Sequence, residues 1–309
     1  MAFASGSGVR VAAVAETAFG TTPATPAFKT VRTTSGGLRT TKSTGTSNER
    51  QADRNVRDEF QLGQDVTGSY DFELTYGSFD QFLEGVMCST WSSNVLKNGL
   101  AQKFFTFEET YELGTTDTFR RFSGCRINTM SLSIAARAAI TGSFGIMGRM
   151  EALAEAIVTG ATYADPETTP VTTASASVSA LVVAGVSPAP RVRSLSLEIN
   201  NGLRTRPEVG SLYSAEFGEG RFEVTGSIEA YFQNKALYQG VLDHGEGSIT
   251  FDVGNETGEK YSITLPRIKF GDGNITAGGN DDDVMAAIPF RALLDETEDC
   301  TLMVERAVA

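Results

Sequence analysis

Polar and apolar residues alternate strictly in four stretches of the chain, the period of a strand with one buried face. Val66, Gly68, Tyr70, Phe72 and Leu74 fall on one side, with Thr67, Ser69, Asp71, Glu73 and Thr75 on the other. Met130, Leu132 and Ile134 oppose Thr129, Ser131 and Ser133, and Leu195, Leu197 and Ile199 oppose Ser194, Ser196, Glu198 and Asn200. Val224, Gly226, Ile228, Ala230 and Phe232 oppose Thr225, Ser227, Glu229 and Tyr231. The apolar sets make a core. The polar sets are almost wholly Ser, Thr, Asp and Glu, without Lys or Arg, whereas solvent faces of sheets normally mix both signs of charge. That bias marks a dedicated surface.

The period changes to that of a helix in two places. Ser78-Phe79-Asp80-Gln81 reads as a capping box ahead of an apolar stripe of Phe79, Phe82, Leu83 and Val86. Asn234 is the candidate N-cap of a second helix striped by Leu237, Tyr238, Val241 and Leu242. The two regions match in order. Val66-Thr67-Gly68-Ser69 recurs as Val224-Thr225-Gly226-Ser227, and Leu83-Glu84-Gly85-Val86 lines up with Tyr238-Gln239-Gly240-Val241. A hairpin follows each: Arg126–Ile134 with Ala139–Gly148, and Tyr261–Phe270 with Val284–Leu293. Strand, helix and hairpin in the same succession point to an internal duplication.

The expected organisation is an extended arm at 1–36, a first domain at 37–160, a linker or exchanged arm at 161–192 and a second domain at 193–309. The arm carries Thr22-Pro23-Ala24-Thr25-Pro26, and the linker carries Asp165-Pro166, Thr169-Pro170 and Ser187-Pro188-Ala189-Pro190. Ser43 to Gln64 reads as a long loop bearing Glu49, Arg50, Asp53, Arg54, Arg57, Asp58 and Glu59. Structureless loops of that length inside domains are usually functional. Mixed charges suit a contact whose register must be fixed between identical copies.

Composition narrows the function. With 309 residues, 40% hydrophobic and 21% charged, the chain has a sizeable core and is neither disordered nor membrane-like. The longest apolar run, Ala180 to Val186, is far too short to cross a bilayer, and the N-terminus lacks the pattern of a secretory signal. Residues 1–160 hold 15 Lys and Arg against 16 Asp and Glu, while residues 161–309 hold 11 against 22. Nearly all of the net −12 therefore sits in the second half, the opposite of a protein that grips nucleic acid by its phosphates. Cys88, Cys125 and Cys300 are odd in number and lack Cys-x-x-Cys spacing, as in reduced thiols made in a cytoplasm.

Catalytic chemistry finds no footing. Gly142-Ser143-Phe144-Gly145 lacks the spacing of a nucleophile elbow, and Gly218-Glu219-Gly220 lacks the third glycine of a phosphate loop. His244, beside Asp243, reads as a loop histidine, and Trp91 as an anchor for the end of the first helix. Gly271-Asp272-Gly273-Asn274 and Asn280-Asp281-Asp282-Asp283 offer oxygen ligands to a hard cation, but neither is an EF-hand loop, and turn formation accounts for both. No catalytic residue, metal site or cofactor is expected.

Much of the chain resembles the tail tube (major tail) proteins of long-tailed bacteriophages. The resemblance is carried by Ala15-Glu16-Thr17-Ala18-Phe19-Gly20-Thr21-Thr22-Pro23-Ala24-Thr25-Pro26-Ala27-Phe28, Ser47-Asn48-Glu49-Arg50, Asp53-Arg54 and Val56-Arg57-Asp58. It continues through Val66-Thr67-Gly68-Ser69 and Leu74-Thr75-Tyr76-Gly77-Ser78-Phe79-Asp80-Gln81-Phe82-Leu83, with Phe119–Gly148 and Ser194–Phe232 similar to later strands. It implies a mainly β fold. Here that fold would be a duplicated β-sandwich or barrel-segment domain, each copy with a flanking α-helix, and with long extended arms and loops. Strands of such proteins join across subunits around a hollow channel, and rings stack by loops and arms. On that resemblance Thr67, Ser69, Asp71, Glu73, Thr129, Ser131, Ser133, Ser194, Ser196, Glu198, Thr225, Ser227 and Glu229 line the channel. Glu49, Arg50, Asp53, Arg54, Arg57, Asp58 and Glu59 reach the next ring.

A duplicated chain would close a ring as a trimer, the rival being six chains with the second half as an outer decoration. The implied partners are further copies of the chain and the tail tip, tape measure and tail terminator proteins. DNA would pass without specific binding, and no membrane insertion is expected. The implied place is the virion tail, made in the host cytoplasm. The alternatives are the inner tube of a contractile tail or secretion machine, and a surface β-domain binding glycan or calcium. A signal peptide, paired cysteines or clustered aromatics would favour the last.

Overall fold

The alternating segments fold as long antiparallel strands in a computed structural model that describes residues 3–307 apart from positions 51, 115, 176 and 185. Met1 and Ala2 of the expected arm, Gln51 of the expected loop, and Ala176 and Gly185 of the expected linker lie outside the described residues. The first part of the chain forms β1 (Val9–Glu16), β2 (Ala27–Thr30), β3 (Ser35–Thr46), β4 (Glu59–Glu73), α1 (Asp80–Met87) and β5 (Val95–Lys97). Then come β6 (Phe104–Tyr111), β7 (Thr118–Ala135), β8 (Thr141–Gly148), β9 (Met150–Ala154) and β10 (Thr162–Ala164). The rest forms β11 (Val178–Ala184), β12 (Val192–Asn200), β13 (Arg204–Thr205), β14 (Phe217–Gly218), β15 (Glu223–Tyr231) and α2 (Ala236–Leu242). It ends with β16 (Glu246–Glu256), β17 (Glu259–Phe270), β18 (Asn274–Thr276), β19 (Met285–Ala292) and β20 (Met303–Arg306). The protein is mainly β, with two α-helices among the described residues.

One broad run of antiparallel ladders organises everything else. Its order is β3-β4-β8-β7-β12-β15-β19, followed by the end of β17 and by β18. A single row of directly opposed residues crosses it: Ser35, Asp71, Ser143, Ser131, Glu198, Thr225, Arg291 and Lys269. The order β3-β4-β8-β7 is matched by β12-β15-β19-β17, and the two sets meet in the β7–β12 seam, from Thr129 opposite Asn200 to Ala135 opposite Ser194. The run does not close on itself. Among the described residues β3 has its ladder only with β4, and β18 only with β19.

The apolar face of this sheet is covered from the ends of its own long strands. β7 leaves the sheet at its N-terminal end to pair with β6 and β9, and β6 pairs along its length with β1. That places Phe107 against Tyr70, at 5.5 Å between ring centroids. Phe82 of α1 fits between the layers, 5.6 Å from Phe105, 5.5 Å from Phe107 and 5.5 Å from Phe144. Each buried Phe contributes roughly 1.5–3 kcal/mol. Glycines keep the β3–β4 and β12–β15 ladders tight. A Cβ on Gly68 would collide with the carbonyl oxygen of Gly37, and one on Gly226 with that of Ser196.

Several expectations are corrected. Ser78 does not cap α1: the N-cap is Phe79, and Ser78 Oγ instead accepts the Thr75 hydroxyl at 2.7 Å. The N-cap of α2 is Lys235 rather than Asn234, although Asn234 Oδ1 accepts the first helical N–H, that of Ala236, at 2.8 Å. The hairpin expected of Tyr261–Phe270 with Val284–Leu293 is reduced to three rungs, from Ile268 to Phe270. β17 spends its earlier residues on β16 and β20, and Gly271–Gly273 breaks the strand before β18 resumes beside β19. Within the expected loop 43–64, residues 43–46 and 59–64 are the strands of a hairpin, with Thr46 opposite Glu59, and 47–58 connect them. The expected arm is built in rather than free: its Val9–Glu16 runs against Phe104–Tyr111, with Ala12 and Ala13 buried.

The excursion through β13 and β14 is tied back to the first half by a buried cation. Arg126, 2% exposed, pairs with Glu219 and donates to the Phe217 carbonyl at 3.4 Å. Removing the acid alone leaves that guanidinium without its counter-charge, which costs about 3–5 kcal/mol at buried sites. Glu219→Ala is therefore expected to lower stability by about 3 kcal/mol in urea unfolding. Arg126→Met, which replaces the cation with an apolar stem and leaves the part-exposed Glu219 to water, is expected to cost less. Equal losses would mean that packing, not charge, holds the excursion.

Candidate functional site

All thirteen residues expected on the dedicated face lie on one face of the broad sheet, and none is buried. They sit there because their apolar neighbours face the core: Tyr70, Phe72, Leu132, Leu197 and Ile228 are all buried. The face is hydrogen-bonded within itself. Asp71 accepts the Ser35 hydroxyl at 2.5 Å, and hydrogen bonds from Ser35 and then Ser143 hold its carboxyl below the usual carboxylate range. Ser194 Oγ donates to Glu229 at 3.0 Å, with Arg193 3.8 Å away.

Alternation alone misses part of this face. Ser35, Arg39, Ser143, Lys269, Asn274 and Arg291 share it, by register with Thr67, Asp71, Thr225 and Ala287. Three of these are basic, so the absence of Lys and Arg seen in the alternating stretches does not hold for the whole face. An open depression of about 700 Å³ lies on it, lined among others by Glu198, Thr225, His244, Lys269 and Arg291.

The charged segment is a separate feature. Glu49, Arg50, Asp53, Arg54, Arg57 and Asp58 are exposed in the 47–58 turn, and Glu59 is exposed as the first residue of β4. Asp53 pairs with Arg57 and accepts the Asn55 N–H at 3.1 Å. Val66 is the last β4 residue opposite β8, so the hairpin reaches roughly 20 Å beyond that ladder at about 3.3 Å per residue. Its tip carries apolar surface that the charge pattern hides: Val56 is 73% exposed, Leu62 58% and Phe60 44%.

Other candidate chemistry resolves into structural roles. Asp282 accepts the Gly279 N–H at 2.8 Å, as in a turn, and no three His, Cys, Asp or Glu among the described residues gather as metal ligands. The three cysteines are free and buried, and burial raises the thiol pKa of Cys88, Cys125 and Cys300. His244 follows α2 in a tight turn, its N–H on the Val241 carbonyl at 3.1 Å. Trp91 donates Nε1–H to the Asp80 carbonyl at 3.3 Å and lies under the Arg306 guanidinium, holding the start of α1. No helix among the described residues is long and apolar enough to cross a membrane.

The described residues thus form an open sheet with a polar face and a projecting hairpin. No curated protein matches the chain. Residues 6–292 match the family described as phage tail tube protein. A match over that span covers nearly the whole sequence, and the chain belongs to the phage tail tube protein family.

Proposed function

We propose that three copies of this chain close into a ring and that rings stack into the hollow tail tube, with the polar sheet face lining the channel. The carrying observation is the matched order of β3-β4-β8-β7 and β12-β15-β19-β17 within one continuous run. Smaller details support a duplication. The β6–β7 ladder slips between Phe105–Cys125 and Phe107–Phe122, and the β16–β17 ladder slips between Gly247–Ile268 and Ile249–Leu265, with the extra residue on the second strand each time. One chain then supplies two tube units, and three supply six.

Counting each half as four strands, three chains give a ring of about 24 strands. Porins of 16–18 strands already leave an aqueous channel, so such a ring is open at its centre. The exposed 47–58 turn is the stacking element of this reading. Its partners are further copies of the chain and the tail tip, tape measure and tail terminator proteins, with DNA passing through unbound. The role is structural, in the virion tail. Negative-stain images of concentrated protein are expected to show hollow tubes, and image reconstruction three chains per ring. Six chains per ring, or isolated monomers with the tail initiator present, would overturn it.

A further inference from the structure

The two halves differ at one place where their matched ladders should agree. Leu38 lies opposite Gly68, and Leu197 opposite Gly226, so the two leucines occupy matching positions in β3 and β12. Leu197 is covered by the other half, directly opposite Leu132 in the seam. Leu38 stands on the outer edge of β3, and side chains take its peptide groups: its N–H donates to Glu109 Oε1 at 3.1 Å, and its carbonyl accepts from Arg120 Nη2 at 3.0 Å. Arg120 and Glu109 are themselves paired at 3.0 Å. Counting from the shared ladder slip, the matching positions in the second half are Ile263 and Phe251, opposed and both buried. The half with a bare edge carries an ion pair where the half with a covered edge carries apolar side chains.

A bare edge is a template for another strand, and natural sheets blunt such edges with charge. The opposite end of the run supplies the strand. Asn274 sits opposite Ala287 as Ser131 sits opposite Ser143, so β18 matches the part of β7 that receives β12.

We propose that the β3 edge receives the Asn274–Thr276 strand of a second copy in the register of the internal seam, and that Glu109 and Arg120 cap that edge until the strand arrives. Leu38 then faces Ile275, Arg39 faces Asn274 and Gly37 faces Thr276, as Leu197, Glu198 and Ser196 face Leu132, Ser131 and Ser133. The incoming ladder replaces both side-chain bonds to Leu38. Ile275, half-buried in the free chain, continues the core row across the joint.

This rests on the ring reading, and a cross-link separates the two. Directly opposed residues lie about 4.5–5.5 Å apart at Cα, within reach of a disulfide. The native cysteines are all buried and give little background. Arg39→Cys with Asn274→Cys, assembled reduced and then oxidised, is expected to give covalent species that stop at three chains on a non-reducing gel. Arg39→Cys with Thr276→Cys, two residues out of register, is expected to link at least tenfold less. Tubes in which the first pair stays unlinked, or both pairs link alike, overturn the seam and spare the ring. Wild-type protein that makes no tubes overturns both. For the cap, Arg120→Lys keeps a positive charge but loses the fork that spans Glu109 and Leu38, so uninitiated assembly should speed up several-fold. Glu151→Ala removes Arg120's other acid, 2.9 Å away, and serves as the control expected to leave the rate unchanged. No acceleration in the Lys variant, with its melting temperature intact, removes the capping role; acceleration by both variants removes it too.

Discussion

Replacing residues 47–58 with an Asn-Gly turn is expected to leave a folded protein that makes no tubes. Thr46 and Glu59 are directly opposed, and a two-residue type I′ turn joins such a pair without disturbing the ladder behind it. The segment takes little stability with it. The described residues in it are exposed except the half-buried Ser47, and its Asp53–Arg57 ion pair is of the surface kind worth under about 1 kcal/mol. Closing a shorter loop returns entropy on the order of 1 kcal/mol. Circular dichroism and thermal melting should therefore stay within a few degrees of wild type. Loss of stacking should be complete, because the deletion removes both the mixed charges and Val56 from the projecting tip. Rings without tubes would fit the stacking role, and normal tubes from the shortened chain would remove it.

How much of this was legible depended on whether a strand had one buried face. Val66–Leu74, Met130–Ile134, Leu195–Ile199 and Val224–Ala230 alternate because each lies on the core, and their faces are as read, whereas beyond the strand ends the reading fails: Thr75 is buried and Phe232 exposed. Glu59–Leu62 have neither face on the core, so no alternation betrays the hairpin, and the segment passes for loop. Ala12 and Ala13 are buried side by side, which hides β1 inside an arm-like composition. The break at Gly271–Gly273 is set by which strands compete for β17, information that no local pattern holds. The same is true of the polar face. Arg39, Lys269 and Arg291 join it only through register across the sheet, so the stretches read in isolation overstate its acidity. The seam between β7 and β12 is a tertiary fact for the same reason.

Reversing charge on the polar face is expected to stall DNA in the tube without unfolding it. Asp71 and Glu229 point away from the core, and neither forms a buried ion pair. Changing each to Lys forfeits hydrogen bonds from Ser35 and Ser194, a loss of about 1 kcal/mol apiece. The functional effect should be far larger. Duplex DNA carries one negative charge per roughly 1.7 Å of axis, and every ring repeats each new Lys in all its chains. At about 1 kcal/mol per close pair in water, contacts summed along a stack of rings exceed thermal energy many times over. Arg291, opposite Thr225, and Lys269, opposite Arg291, already put positive charge on the row that holds Asp71 and Glu198, so the native face is balanced enough for added Lys to tip it toward binding. Particles assembled with Asp71→Lys, Glu229→Lys tubes should eject their genome slowly at low salt. Ejection should recover near 1 M salt, where screening falls to about 3 Å. Arg291→Glu, on the same row with the opposite sign, should eject at least as fast as wild type. If all three tubes eject alike at every ionic strength, this face lies outside the channel.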